Sequence, residues 1–128
     1  MTFRVALPWP AKELNPNSRC GWRRKAEAVQ LARNVAYFLA RSRYDGHTYL
    51  DDRELQLRVV AYPPDKRRRD ADNILASEKA HIDGVCQALQ IDDHSIRRTV
   101  IEWGDVKKGG EIVMELEPIE DNLNGGKE

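Results

Sequence analysis

The chain has 128 residues, which is enough for one domain with a single hydrophobic core. Apolar residues make up 41% of it and charged residues 33%, a balance that excludes a disordered or membrane-spanning chain. The net charge is zero, but residues 17 to 44 carry seven bases and one acid, whereas residues 111 to 128 carry six acids and one lysine.

The two cysteines, Cys20 and Cys86, lie far apart and lack the spacing of a zinc site or a disulfide framework, so we expect reduced thiols. No apolar run approaches the roughly 20 residues of a membrane helix. The first residues also lack the layout of a signal peptide. We therefore expect a protein that stays in the cytoplasm where it is made.

The chain begins with a predicted strand and a predicted long helix. Apolar residues alternate over residues 3 to 7 and predict a strand that ends at the following prolines. Apolar residues then recur at helical spacing and predict an amphipathic helix from Arg24 to about Arg43, with Arg33 and Arg41 facing solvent or a ligand. The stripe expected to pack on the sheet consists of Ala28, Leu31, Ala32, Val35, Phe38 and Leu39.

After a polar connection over residues 46 to 52, alternation predicts a second strand that ends at Tyr62. Asp72 or Asn73 is the expected N-cap of a second helix that runs to about Leu89. Its expected core stripe is Leu75, Ile82, Cys86 and Leu89.

Two further strands are expected over residues 95 to 103 and around 112 to 116, separated by a turn at 107 to 110. The order β-α-β-α-β-β predicts an α+β fold with two helices packed on a small mixed sheet. We expect one domain, residues 1 to 118, and an acidic, flexible C-terminal tail over residues 119 to 128.

Carboxylates are concentrated in the second half of the chain. Asp70 and Asp72 are two residues apart, and in an extended segment such residues point to the same side. Two like charges that converge need a counterion, and a hard divalent cation such as Mg²⁺ is the common answer. Asp93 follows the second predicted helix and could supply a third ligand. The alternative, that one of these acids only caps the helix, explains Asp72 but neither Asp70 nor Asp93.

Lys79 lies seven residues after Asp72, which on a continuous helix returns it to within about 20° of the same face. A lysine there could stabilise charge that develops on a phosphate. The alternative is a surface ion pair with Asp83, four residues later. Both can hold, because Asp83 could also orient the lysine.

Basic residues flank the carboxylates and begin the first helix. They are expected to contact the phosphates of a polyanionic substrate, or else they form a solvated face, and they are Arg23, Arg24, Lys25, Arg67, Arg68 and Arg69. Trp22, among the first of these, either stacks on a base or is buried against the first helix. His94 could be a metal ligand or a general base, although a histidine in a polar loop is more often neither.

Four short motifs span nearly the whole chain. They are Leu7-Pro8-Trp9-Pro10, Arg67-Arg68-Arg69-Asp70-Ala71-Asp72-Asn73, Lys79-x-x-x-Asp83-Gly84 and Asp92-Asp93. Their order resembles the RusA family of Holliday junction resolvases, which is common in phages and prophages. The resemblance implies a RusA-like fold in the cytoplasm of a bacterial host cell.

The resemblance also implies an activity and a site. Members of the family are homodimeric endonucleases that nick four-way DNA junctions symmetrically in recombination and repair, with Mg²⁺ as cofactor and Mn²⁺ able to substitute. It implies that Asp70, Asp72 and Asp93 bind the metal and that Lys79 is the essential lysine. In the best-known form, the lysine follows the second Asp of the motif by four residues, but Ala76 stands there in this chain.

A second class of function stays open at this point. A non-catalytic, architectural junction-binding protein would use the same basic residues without cutting DNA. It would gain nothing from three converging acids beside a polyanion, which favours the nuclease. An enzyme that acts on another phosphoester is a third, weaker option.

Overall fold

The structure, a computed structural model, describes residues 2–44, 50 and 53–119. Within these ranges, four strands and three helices form an α+β fold, as predicted. They are β1 (Phe3–Pro8), α1 (Trp22–Arg43), β2 (Leu55–Tyr62), α2 (Ala71–Ser77), α3 (Lys79–Leu89), β3 (Ile96–Trp103) and β4 (Glu111–Pro118). The predicted connection at 46 to 52, apart from Leu50, and the predicted tail beyond residue 119 lie outside the described residues.

The sheet is mixed and has the strand order β1-β4-β2-β3. β4 is antiparallel to both β1 and β2, whereas β2 and β3 are parallel and are joined through α2 and α3. Val5 of β1, Met114 of β4 and Val59 of β2 lie side by side on three neighbouring strands and are all buried. The alternation in the sequence therefore marks the sheet face that packs against the helices.

α1 packs mainly through small residues, and the predicted stripe is confirmed only in part, since Ala32 is buried and Leu39 packs against the core. Its buried positions are Ala32, Ala36 and Ala40, which recur every four residues and face α3. Leu31 and Phe38 are 65% and 70% exposed, so the prediction that they form core is wrong. α1 and α3 approach each other closely at the alanines. Bulky side chains at the alanine positions would keep the two helices apart.

The two arginines that were expected to be free on α1 instead connect it to α3. Arg33 lies 3.8 Å from Asp83, and Arg41 donates a hydrogen bond to the carbonyl of Ala88. Arg41 also lies over the ring of Tyr44. Both long side chains bury their stems along the helix pair while their charged ends meet acceptors.

The second predicted helix is divided in two at Glu78, which ends α2 and precedes α3. Asp70, not Asp72 or Asn73, is the N-cap, and its side chain accepts a hydrogen bond from the backbone N–H of Asp72. The break changes which positions face the core. In α2 the buried residues are Ile74 and Ser77, while the predicted Leu75 is half-buried.

Candidate functional site

The loop between β2 and α2 is held together by Asp65. Its carboxylate accepts hydrogen bonds from the backbone N–H of Arg67 and from the guanidinium of Arg69, each at 2.9 Å, and these bonds lower the pKa of Asp65. Arg69 also donates to the carbonyls of Asp65 and Arg67, and its guanidinium lies 5.4 Å from the ring centroid of Trp9. Arg69 is thus mostly buried in structural contacts, whereas Arg67 and Arg68 are exposed.

A groove of about 920 Å³ runs beside this loop. Its basic wall consists of Lys12, Arg67, Arg68 and Arg69, and Asp70 stands among them. Lys12 comes from a short 3₁₀ helix more than fifty residues away in the sequence, and no motif connected it to the arginines. The groove therefore places one predicted metal ligand inside a positively charged surface.

Asp70 and Asp72 occupy different backbone conformations. Asp70 is extended, with φ −100° and ψ 129°, while Asp72 lies in the first turn of α2. Both side chains are exposed. The two carboxylates therefore do not share one extended segment, as was expected, because the helix is capped at Asp70 and begins two or three residues earlier than predicted.

Lys79 forms the ion pair with Asp83 that was one of the two alternatives from the sequence, and it also lies near Asp93. Its ammonium group donates a 2.8 Å hydrogen bond to Asp83 and lies 3.8 Å from a carboxylate oxygen of Asp93. The hydrogen bond to Asp83 is the main reason that the pKa of Lys79 is raised, and the charge of Asp93 adds to it. Lys79 is therefore a cation held between two acids, one from α3 and one from the loop before β3.

Three exposed residues of that loop, Asp92, Asp93 and His94, have potential ligand atoms that all lie within 4.8 Å of one another. Asp92 accepts a hydrogen bond from the backbone N–H of His94, which lowers the pKa of Asp92. Within the described ranges, Asp70 and Asp72 do not belong to such a group of three. Carboxylate oxygens are nevertheless the ligands that Mg²⁺ prefers, so the donor chemistry of the predicted site fits a hard divalent cation.

The basic residues at the start of α1 lie apart from the groove lining. Arg24 pairs with Glu13 at 3.0 Å, and the guanidinium of Arg23 lies over the ring of Trp22. Arg23 and Lys25 are exposed. The structure thus presents the predicted phosphate-binding residues as two surfaces, one at the groove and one at the start of α1.

Sequence reasoning missed a buried polar pair at the α2–α3 break. Glu78 and His81 are almost completely buried, and a 2.8 Å hydrogen bond joins Glu78 to Nδ1 of His81. Neither residue belongs to a motif that pointed to burial. Cys86 lies nearby, and burial, followed by the charges of Asp93 and Asp83, raises the pKa of its thiol to about 12. Both cysteines are free, as expected.

Comparisons with known proteins find two similar chains. A protein of Xylella fastidiosa (strain Temecula1), itself uncharacterized, is 34% identical over 123 residues, which cover 95% of this chain and 80% of that protein. The crossover junction endodeoxyribonuclease RusA of Enterobacteria phage 82 is 27% identical over 118 residues, covering 90% of this chain and 93% of the phage protein. The second similarity is a distant RusA-like relationship. No family model matches the chain.

In the described part of the chain, no helix is both long enough and apolar enough to cross a bilayer.

Proposed function

Since the chain belongs to the same family as the Xylella fastidiosa protein and is RusA-like at a greater distance, we propose that it is a metal-dependent endonuclease that resolves four-way DNA junctions. Its proposed product is a pair of symmetric nicks, made during recombination or repair. The nuclease part of the proposal depends on the phage relative.

The observation that carries the proposal is the position of Asp70 in the wall of the basic groove. Lys12, Arg67 and Arg68 give the groove the charge that a phosphodiester backbone needs. An acid at that place weakens simple DNA binding, because it repels phosphate. Besides capping α2, Asp70 would help to hold a divalent cation, which would offset the charge of the phosphodiester.

We assign the metal to Asp70, Asp72 and Asp93, with Mg²⁺ as the cation and Mn²⁺ as a substitute. When bound, such a cation offsets charge on the phosphodiester and activates water for attack. Lys79 supplies positive charge beside Asp93, and the hydrogen bond to Asp83 and the charge of Asp93 raise its pKa further. Asp83 positions the ammonium through the 2.8 Å hydrogen bond.

Paired cuts on opposed strands require two sites, and a two-fold symmetric homodimer provides them through one interface. We propose that α1 forms this interface. Leu31 and Phe38 lie seven residues apart, so they project from the helix within about 20° of each other. Exposed apolar residues on one helix face are typical of a protein–protein contact.

The alternative function is an architectural protein that binds junctions without cutting them. The basic groove and the basic start of α1 would serve it equally well. The acids at Asp70, Asp72 and Asp93 favour the nuclease.

The experiment is cleavage of a synthetic four-way junction and of a linear duplex of the same sequence, with Mg²⁺ or with chelator. The unmodified protein should nick the junction in pairs only with Mg²⁺. The Asp72→Asn variant should lose at least about 100-fold in rate while it still binds the junction. The exposed Asp105→Asn is the matched control and should cut normally. Tight junction binding without cleavage under Mg²⁺ or Mn²⁺ would instead establish the architectural protein.

A further inference from the structure

Trp22 is unusually exposed for a tryptophan. Its side chain is the first of α1, and 78% of the residue surface is accessible. The guanidinium of Arg23 lies 5.5 Å from the centroid of its ring. An exposed ring of this size offers a large apolar face on which another molecule can stack.

The charge around Trp22 favours a polyanion as the covering molecule. Arg19, Arg23 and Lys25 are exposed, and the first turn of α1 contains no acid. Interleaved aromatic and basic side chains are the pattern by which proteins hold unpaired nucleotides, because the ring stacks on a base while the cations contact phosphates. An apolar protein partner would have to desolvate these cations without pairing them.

The start of α1 is also tied to the groove side of the molecule. Arg24, two residues after Trp22, pairs with Glu13 at 3.0 Å. The neighbour of Glu13 in the same 3₁₀ helix is Lys12, which lines the groove. The start of α1 is therefore linked through Glu13 to a short helix that lines the groove.

We propose that Trp22 stacks on an unpaired or unstacked base of branched DNA, with Arg23 holding the ring and contacting the adjacent phosphate. The inference rests on the proposed junction substrate. It identifies the residue through which the protein would distinguish a junction from a duplex. A linear duplex hides its base faces, whereas bases at a branch point present them. Trp22 is thus a recognition residue for the branch, separate from the carboxylates.

The test measures binding in chelator, where no cleavage occurs. Each protein is titrated into a four-way junction and into a linear duplex, and both DNAs carry 2-aminopurine. In the junction, the 2-aminopurine stands at the branch point. We expect Trp22→Leu to bind the junction about 10-fold more weakly and the duplex within about 2-fold of the unmodified protein. Trp22→Phe, which keeps an aromatic face, should recover most of the affinity. The change in 2-aminopurine fluorescence that stacking causes should disappear in Trp22→Leu and return in Trp22→Phe.

The outcomes separate this inference from the proposed function. Equal loss on junction and duplex, or Leu and Phe variants that behave alike, would overturn the stacking role while junction cutting stands. A change of oligomeric state in Trp22→Leu would also overturn it, because the ring would then lie between two copies of the chain. An unmodified protein with no preference for the junction would overturn both proposals.

Discussion

Glu78 is a fully buried carboxyl that lies between α2, which carries Asp72, and α3, which carries Lys79. One of its oxygens bonds to His81, and the other has no hydrogen-bond partner within the described residues. Burial raises the pKa of Glu78, and the bond to His81 opposes this in part. Because the helix is broken at Glu78, the break sets the position of Asp72 in α2 relative to Lys79 in α3.

The ionisation of Glu78 should cost stability as pH rises. Below the pKa of the unfolded chain, about 4.3, the group is protonated in both states and contributes no penalty. Above it, the unfolded chain loses the proton first, so the free energy of unfolding falls until the pH passes the raised folded pKa. Each unit by which the folded pKa exceeds the unfolded pKa lowers the free energy of unfolding by about 1.4 kcal/mol.

Glu78→Gln should remove this penalty, because the amide stays neutral and keeps an acceptor for His81. We expect its stability relative to the unmodified protein to increase as pH rises from 4.5 to 7.5, measured by urea unfolding. Glu27→Gln, on the exposed part of α1, is the control and should show no such trend. Parallel pH profiles for Glu78→Gln and the unmodified protein would show that Glu78 is not a buried, poorly solvated acid.

At the scale of elements, the contact between α1 and α3 sets the position of Lys79. Gly84 lies at the closest approach, where a Cβ atom would meet the carbonyl oxygen of Arg33 at 2.3 Å and the Cβ of Ala36 at 3.0 Å. The first of these neighbours is backbone and cannot rotate away. The glycine and the alanines of α1 therefore form one close-packed interface.

Gly84→Ala should force the two helices apart. Overpacking of this kind costs about 1 to 3 kcal/mol, which exceeds the roughly 1 kcal/mol that alanine gains over glycine in a helix. Chemical denaturation should show a net loss of stability. Gln87→Ala, at an exposed position of the same helix, should change stability by no more than about 0.5 kcal/mol. A Gly84→Ala protein as stable as the original would show that the helices have room to spare.

For the whole molecule, the charge polarisation seen along the chain is reduced by pairing in three dimensions. The acids of β4 meet bases from neighbouring elements: Glu115 pairs with Arg4 and Arg58, and Glu111 pairs with Lys107. Among the described residues, the basic residues of the groove and of the start of α1 pair only with Asp65 and Glu13. The positive surface therefore survives where DNA is proposed to bind.

The proposed homodimer gives a prediction at the same scale. Phe38→Glu places a charge on the exposed apolar face of α1 and should convert a dimer to a monomer, with little effect on the fold of each chain. Sedimentation should report the change, and junction cleavage should change from paired nicks to single ones. Gln87→Glu adds the same charge on α3 and should leave the dimer intact. Paired cutting by a monomeric Phe38→Glu protein would contradict the proposed interface.

Local pattern was sufficient for the strands and the long helix. Alternation over residues 3 to 7 and 112 to 116 identified β1 and β4, because a sheet with one buried face repeats every two residues. Helical spacing predicted the ion pair of Lys79 with Asp83, since residues four apart on a helix are neighbours. The role of the acids and of Lys79 in catalysis stays a prediction.

Three features depended on contacts between distant segments. The sequence could not place Lys12 beside the arginine run, because they are brought together only by the fold. It could not show that alanines, and not Leu31 and Phe38, face α3, because helix packing is decided by how closely the partner approaches. Nor could it show that Trp22 is exposed. The sequence by itself determined the elements and the chemical groups, whereas the tertiary structure decided which of those groups face each other and which face solvent, because burial depends on a partner surface.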